Sequence, residues 1–207
     1  MDTQLRSNRV LVLYANISRI QKEDWQNDVF QELPTDFQQR ILSYKNTKDV
    51  RASLLGKFLL KKGLELFKEE AHLTTLQQSK FGKPFREGSS TRFNISHSGD
   101  LVVCALANKM EIGIDIELIS SMTSTTHNQL ISFLEKKQVL KIPSVSFWKY
   151  WTQKEAVVKA HGSGLSSLFT SFNINNGKTT LHNTLFYLYD LPVNPNYACS
   201  LATSENE

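Results

Sequence analysis

The segment Gly113-Ile114-Asp115-Ile116-Glu117 limits what this chain can fold into more than any other stretch. Alternation of apolar and acidic residues marks a half-buried β-strand. Successive side chains leave a strand on opposite faces, so Asp115 and Glu117 share one face, with Ile114, Ile116 and Leu118 on the other. Further along, the pattern predicts a helix over Ser146–His161 in which Trp151, Glu155 and Lys159, at steps of four, lie along one side. Such a helix laid on such a strand gathers three carboxylates beside one ammonium, and Gly113 lets the two backbones approach closely. Acids packed together repel and raise one another's pKa, a cost that a divalent cation removes. Hard oxygen donors suit magnesium, which keeps positions for water and phosphate, whereas zinc would ask for His or Cys. Asp115, Glu117 and Glu155 are therefore the expected Mg2+ ligands, and Lys159 is expected to meet a phosphate oxygen.

The remaining composition narrows the class. With 207 residues, 40% apolar and 21% charged, the chain is ordinary globular material and not disordered. A net charge of +4 and a pI near 9.0 suit an acidic partner or a polyphosphate ligand, but are too mild to imply nucleic acid. Cys104 and Cys199 sit in apolar runs and are expected as inert core, without metal or disulfide spacing. Val10–Tyr14 is too short for a secretory h-region, and no run approaches a membrane span. A cytoplasmic protein without a membrane partner is expected.

The order of elements repeats. The sequence predicts a strand at 9–17, helices over Pro34–Tyr44 and Asp49–Glu70, short extended pieces at Leu73–Gln78 and Arg92–Ile95, and a strand at Leu101–Ala107. It then predicts a strand at Ile112–Ile119, helices over His127–Leu140 and Ser146–His161, a Gly162–Gly164 stop, and strands at Ser171–Asn175, Thr184–Tyr189 and Tyr197–Thr203. Cys104-Ala105-Leu106-Ala107 also matches Cys199-Ser200-Leu201-Ala202 in letters. Both features favour an α+β fold of two similar halves, residues 1–110 and 111–207, with a cleft where they meet.

Other groups able to bind an anion cluster in three places. Phe93-Asn94-Ile95-Ser96-His97-Ser98-Gly99 offers a hydroxyl, an imidazole and backbone N–H groups, as a phosphate-cradling loop would. Lys83 lies in a Gly82-Lys83-Pro84 turn. Arg51, with Lys45 and Lys48 nearby, has a fork matched to a phosphate monoester. Glu135 alone would be a surface glutamate, and Trp148 and Trp151 are expected to pack their helix.

Phe93–Gly99, Gly113–Glu117 and Trp151–Lys159, in that order and spacing, resemble the 4'-phosphopantetheinyl transferase superfamily, and the size and duplication are similar to its surfactin-synthetase-activating (Sfp) type. The resemblance implies two similar α+β halves in pseudo-twofold relation with coenzyme A between them. It implies transfer of the phosphopantetheine arm of coenzyme A to a serine of an acyl or peptidyl carrier protein, releasing adenosine 3',5'-bisphosphate. Asp115, Glu117 and Glu155 then correspond to the magnesium acids, Lys159 and Lys83 to lysines at the coenzyme, Ser96 and His97 to a phosphate-binding pair, and Glu135 to a further site acid. The family's arginine before Leu-Leu-Gly falls at Ala52 here, leaving Arg51 or Lys48 as expected ligands of the 3'-phosphate.

On this reading Lys159, Lys83 and His97 stabilise phosphate charge, while Glu155, or Glu135 through a water, takes the serine proton. The net +4 would steer an acidic carrier protein, gripped by an apolar strip near Phe133 or Trp148. A monomer is expected, since one chain supplies both halves of the cleft. Two rivals differ in class: a magnesium-dependent nucleotide phosphohydrolase, which needs no protein acceptor, and a basic binding module, which needs no three-acid site.

Overall fold

The computed structural model describes residues 9–20, 25–119, 144–164 and 171–204; the predicted helix at 127–140, with Phe133 and Glu135, lies outside them. The elements in chain order are β1 (Val10–Asn16), α1 (Trp25–Glu32), α2 (Thr35–Leu42), α3 (Thr47–Phe67), β2 (Leu76–Gln78), β3 (Pro84–Arg86), β4 (Thr91–Ser98) and β5 (Leu101–Asn108). β6 (Ile112–Leu118), α4 (Ser144–His161), β7 (Lys178–Leu181), β8 (Thr184–Asp190) and β9 (Tyr197–Ser204) follow. This is the expected mixed α+β class. Two antiparallel sheets, ordered β1-β5-β4 and β6-β9-β8-β7, are accompanied by a small β2–β3 pair. Each large sheet obeys one rule: its first strand pairs with its last, and the last pairs with the strand before it.

The long helices cover one face of each sheet. Leu55, Leu60 and Leu64 of α3 are fully buried against Val102, Cys104 and Leu106, each such side chain contributing about 1.5–3 kcal/mol of burial. The sheets meet on their other faces, where Val103, Ala105 and Ala107 of β5 pack with Ile112, Ile114 and Ile116 of β6 and with Cys199 and Leu201 of β9. Cys104 thus faces a helix while Cys199 faces the opposing sheet. A one-residue slip inverts every side chain of a strand, so the four-letter match around the two cysteines aligns opposite faces and is not a structural equivalence. The repeat lies in the strand order. Burial raises both thiols, Cys199 to about 12, in keeping with inert core residues.

Three further expectations change. Trp25–Glu32 forms a helix that the pattern did not indicate. β4 runs on through Ser98, so the expected Ser-His-Ser loop is strand, paired residue by residue with β5. Ser171–Asn175 is not a strand. Asn176 and Gly177 turn the chain with φ of 50° and 71°, and the strand begins at Lys178. An Asn-Gly pair favours that turn because both residues tolerate positive φ.

Candidate active site

The chemistry-bearing residues lie where β4, the edge of one sheet, faces β6, the edge of the other. No backbone ladder joins these strands. Side chains at steps of two along one face of β4 join them instead. Asn94 Oδ1 accepts the Ile114 N–H at 2.8 Å, Ser96 Oγ donates to Asp115 Oδ1 at 2.9 Å, and Ser98 Oγ donates to Glu117 Oε2 at 2.8 Å. α4 crosses the same face of β6 at Gly113, where an added Cβ would stand 2.1 Å from the Ala156 carbonyl oxygen and 2.3 Å from the Ala160 nitrogen. Only glycine permits that crossing, and the crossing delivers Glu155 and Lys159 to the acids.

Asp115 is 3% exposed and Glu155 5%. Lys159 Nζ lies 2.5 Å from Asp115 Oδ1 and 3.0 Å from Ser96 Oγ. Burial alone would lower the lysine, but the charge and hydrogen bond of Asp115, helped by Glu155 and Glu117, hold it above its ordinary value. Burial pushes Glu155 up to about 7; Lys159 opposes this, while Asp115 and Glu117 add to it. Burial and then Asp115 also raise Glu117, with Ser98, Lys159 and Trp151 acting in the other direction. The three expected ligands are thus electrostatic neighbours sharing one counter-charge. Among the described residues no group of three or more His, Cys, Asp or Glu side chains is arranged so that it could hold a metal ion as it stands, so Asp115, Glu117 and Glu155 lie near one another without forming a ready-made ligand set. The donor chemistry fits a hard divalent cation: the groups are carboxylates, and Asp115 Oδ2 is buried with no hydrogen-bond partner.

The other expected residues fall in different places. Ser96 and His97 point to opposite faces of β4, so they do not form one phosphate cradle. Ser96 joins Asp115 and Lys159, whereas His97 joins Ser53, Lys57 and Arg40 around a cavity of about 190 Å³ on the α3 side. Burial lowers His97, with Asp49 opposing. Lys83 donates to the carbonyls of Ala160 (3.1 Å) and Ile112 (3.2 Å), and burial lowers it to about 8. It ties the end of α4 and the start of β6 to the preceding half. It also lines, with Lys159, a cavity of about 250 Å³. Arg51 spends its guanidinium on the Ile17 and Ile20 carbonyls at 3.0 and 3.1 Å, and Lys48 pairs with Asp100 at 2.7 Å. Trp148 is 3% exposed, so it offers no surface strip, and Phe133 and Glu135 lie outside the described residues.

Sequence reasoning missed Lys57 and Arg40. Lys57 Nζ is held by Ser53 Oγ at 3.1 Å, and Arg40 by Gln78 at 3.3 Å. Among the described residues no carboxylate pairs with either cation. Burial, then Arg40, lowers Lys57 to about 8. Position 57 directly follows Leu54-Leu55-Gly56, five positions beyond Ala52, and that adjacency is the one signal in the sequence.

Comparison with known proteins agrees with this layout. The family model described as 4'-phosphopantetheinyl transferase, N-terminal, matches residues 19–109, and that of the 4'-phosphopantetheinyl transferase superfamily matches 111–202. Similar curated proteins include 4'-phosphopantetheinyl transferase gsp of Aneurinibacillus migulanus, 36% identical over 149 residues, covering 69% of this chain and 61% of that protein. 4'-phosphopantetheinyl transferase psf-1 of Bacillus pumilus is 33% identical over 142 residues, covering 64% and 60%. 4'-phosphopantetheinyl transferase Sfp of Bacillus subtilis is 29% identical over 140 residues, covering 63% and 61%. The matched region spans about three fifths of the length of these relatives. With its two halves matched in turn by family models and the paired acids of β6 facing Glu155 and Lys159, the chain belongs to the 4'-phosphopantetheinyl transferase superfamily.

Proposed function

We propose that the protein transfers the 4'-phosphopantetheine arm of coenzyme A to a serine hydroxyl of an acyl or peptidyl carrier protein. The observation that carries this reading is the buried carboxylate–ammonium cluster at the β4–β6–α4 seam, with one Asp115 oxygen left without a partner. Asp115, Glu117 and Glu155 would hold Mg2+, which offsets pyrophosphate charge and orients the reacting phosphorus when bound. In the transfer the acceptor Oγ forms a bond to the β-phosphorus. The bond from that phosphorus to the bridging oxygen breaks, and adenosine 3',5'-bisphosphate leaves with the electron pair. Lys159, turning from Asp115 to a phosphate oxygen, would stabilise the leaving charge. Glu155, on the face of α4 that meets the β6 acids, is the acceptor we assign to the serine proton; Glu135 acting through a water is the second candidate.

The 3'-phosphate is assigned to the cavity of Arg40, Ser53, Lys57 and His97 rather than to Arg51 or Lys48, whose charges are already engaged. This cavity and the one beside Lys159 share the Gly82, Pro84 and Ile95 walls. A ligand with a pyrophosphate and a separate phosphate could therefore span both. The two halves are read as residues 1–110 and 111–207, in a monomer placed in the cytoplasm. No described helix is long and apolar enough to cross a membrane.

The test incubates the protein with coenzyme A, Mg2+ and a panel of apo acyl and peptidyl carriers, and follows the intact mass of each carrier. A gain of one phosphopantetheine on a carrier serine is expected. Cleavage of coenzyme A without any carrier would instead favour the hydrolase. No reaction with any carrier, together with binding that survives chelation, would favour the binding module.

A further inference from the structure

We infer that Ser98, together with Ser96, is a positioning residue through which the first half of the chain sets the orientation of the metal carboxylates carried by the second. The inference rests on the reading of Asp115 and Glu117 as metal ligands.

The argument starts from hydroxyl chemistry. A serine has one proton to donate and lone pairs to accept with. Ser98 Oγ accepts the Leu118 backbone N–H at 3.1 Å, a group that can only donate. Its own proton is therefore directed to Glu117 Oε2 at 2.8 Å. Ser96 repeats the arrangement. It accepts from the Lys159 ammonium, another donor-only group, at 3.0 Å, so its proton goes to Asp115 Oδ1 at 2.9 Å. Both hydroxyls are thus polarised toward a carboxylate by a donor on their other side.

A carboxylate on a strand has free torsions, and packing from β6 alone does not fix which oxygen faces the groove. A hydrogen bond from a rigid neighbouring strand does. Ser96 and Ser98 are on β4, which is held along its length by β5, so their oxygens are fixed points. Bonding Asp115 Oδ1 leaves Oδ2, which is buried without a hydrogen-bond partner, for a cation; Glu117 is held by the Ser98 hydroxyl and by a hydrogen bond from the Trp151 side chain. The spacing is also matched: residues two apart on β4 meet residues two apart on β6. His97, between the serines, faces the other way and takes no part. Groups behind metal ligands commonly change metal affinity by roughly 10–100-fold when removed.

The experiment titrates Mn2+ into the full chain and reads free ion by electron paramagnetic resonance, for wild type, Ser98→Ala and Ser98→Thr. Ser98→Ala is expected to weaken Mn2+ binding about 10-fold, while Ser98→Thr, which keeps the hydroxyl, stays within about 3-fold of wild type. The melting temperature of Ser98→Ala should stay within a few degrees of wild type. In the transfer assay Ser98→Ala should need more Mg2+ for half-maximal rate yet approach the wild-type rate at saturating Mg2+. Equal Mn2+ affinity in Ser98→Ala and wild type overturns the positioning role alone. Ser98→Thr as weak as Ser98→Ala also overturns it, because volume and not the hydroxyl would then be at work. Failure of wild type to take up Mn2+ overturns the metal reading and this inference with it.

Discussion

β1 and β6 occupy the same place in their sheets: each opens its half, pairs with that half's last strand, and turns one face toward a long helix. On that face β1 carries Leu11, Leu13 and Ala15, and α3 answers with leucines. β6 carries Gly113, Asp115 and Glu117, and α4 answers with Ala156 and Ala160 at the glycine and with Glu155 and Lys159 beside the acids. One arrangement of strand and helix therefore serves as ordinary core in the first half and as a buried charge cluster in the second. Buried ion pairs are weak contributors to stability, since desolvation offsets most of their attraction. The comparison indicates that the second seam gives up packing for chemistry.

The most severe way to break the contrast is to make β6 resemble β1. Asp115→Leu combined with Lys159→Met should reduce carrier modification by at least about 10³-fold, a loss typical of removing a principal electrostatic group. Its unfolding free energy should equal or exceed that of wild type. Asp115→Leu alone should lose the same activity and also about 1–3 kcal/mol of stability, because the part-buried Lys159 then loses its hydrogen-bonded partner. Denaturant titration of both variants checks the pair; equal stability in the two would show that the seam is not strained by its charges.

Gly113→Ala tests the crossing. A methyl group cannot sit 2.1 Å from a backbone oxygen, so α4 must shift, at an expected cost of about 1–3 kcal/mol and a large loss of transfer rate. A variant with wild-type stability and rate would mean that the close approach does not place Glu155 and Lys159.

A smaller effect should come from the first half's own polar cavity. Lys57→Met should raise the KM for coenzyme A several-fold while changing that for 3'-dephospho-coenzyme A little, in steady-state kinetics with both substrates. An equal change for both would remove the 3'-phosphate from this cavity. pH gives a second reading. The folded pKa of Lys57 is about 8 against an ordinary 10.5, so between these values the unfolded chain binds more protons and stability rises with pH. The melting temperature of wild type should therefore gain on that of Lys57→Met as pH is raised from 8 toward 10. A constant gap would show that Lys57 is not desolvated.

Much of the second seam was legible because its signals are local. Alternation in Gly113–Glu117 and steps of four in Trp151–Lys159 each put residues on one face whatever the rest of the chain does. The same rule of alternation, applied to Phe93–Gly99, would have separated Ser96 from His97, but the run of Asn, Ser and Gly read as a loop. What hid was decided across the chain. Lys83 is a turn lysine until Ala160 arrives 77 residues later, and Arg51 is a free fork until Ile17 and Ile20 fold back 34 and 31 residues. The Cys104 and Cys199 segments look alike in letters, yet only strand pairing reveals that their side chains point oppositely. Lys57 stands five positions beyond Ala52, where the family's arginine falls, and its place beside His97 and Arg40 is set only by the fold.

The lysine in the Gly82-Lys83-Pro84 turn has one more consequence. A helix's last carbonyls have no partners within the helix, and in α4 the Ala160 carbonyl receives its donor from a residue made far earlier in the chain. Synthesis proceeds from the amino terminus, so the donor has left the ribosome before its acceptor is translated. The helix that brings Glu155 and Lys159 to the seam is thus completed on a scaffold already waiting for it.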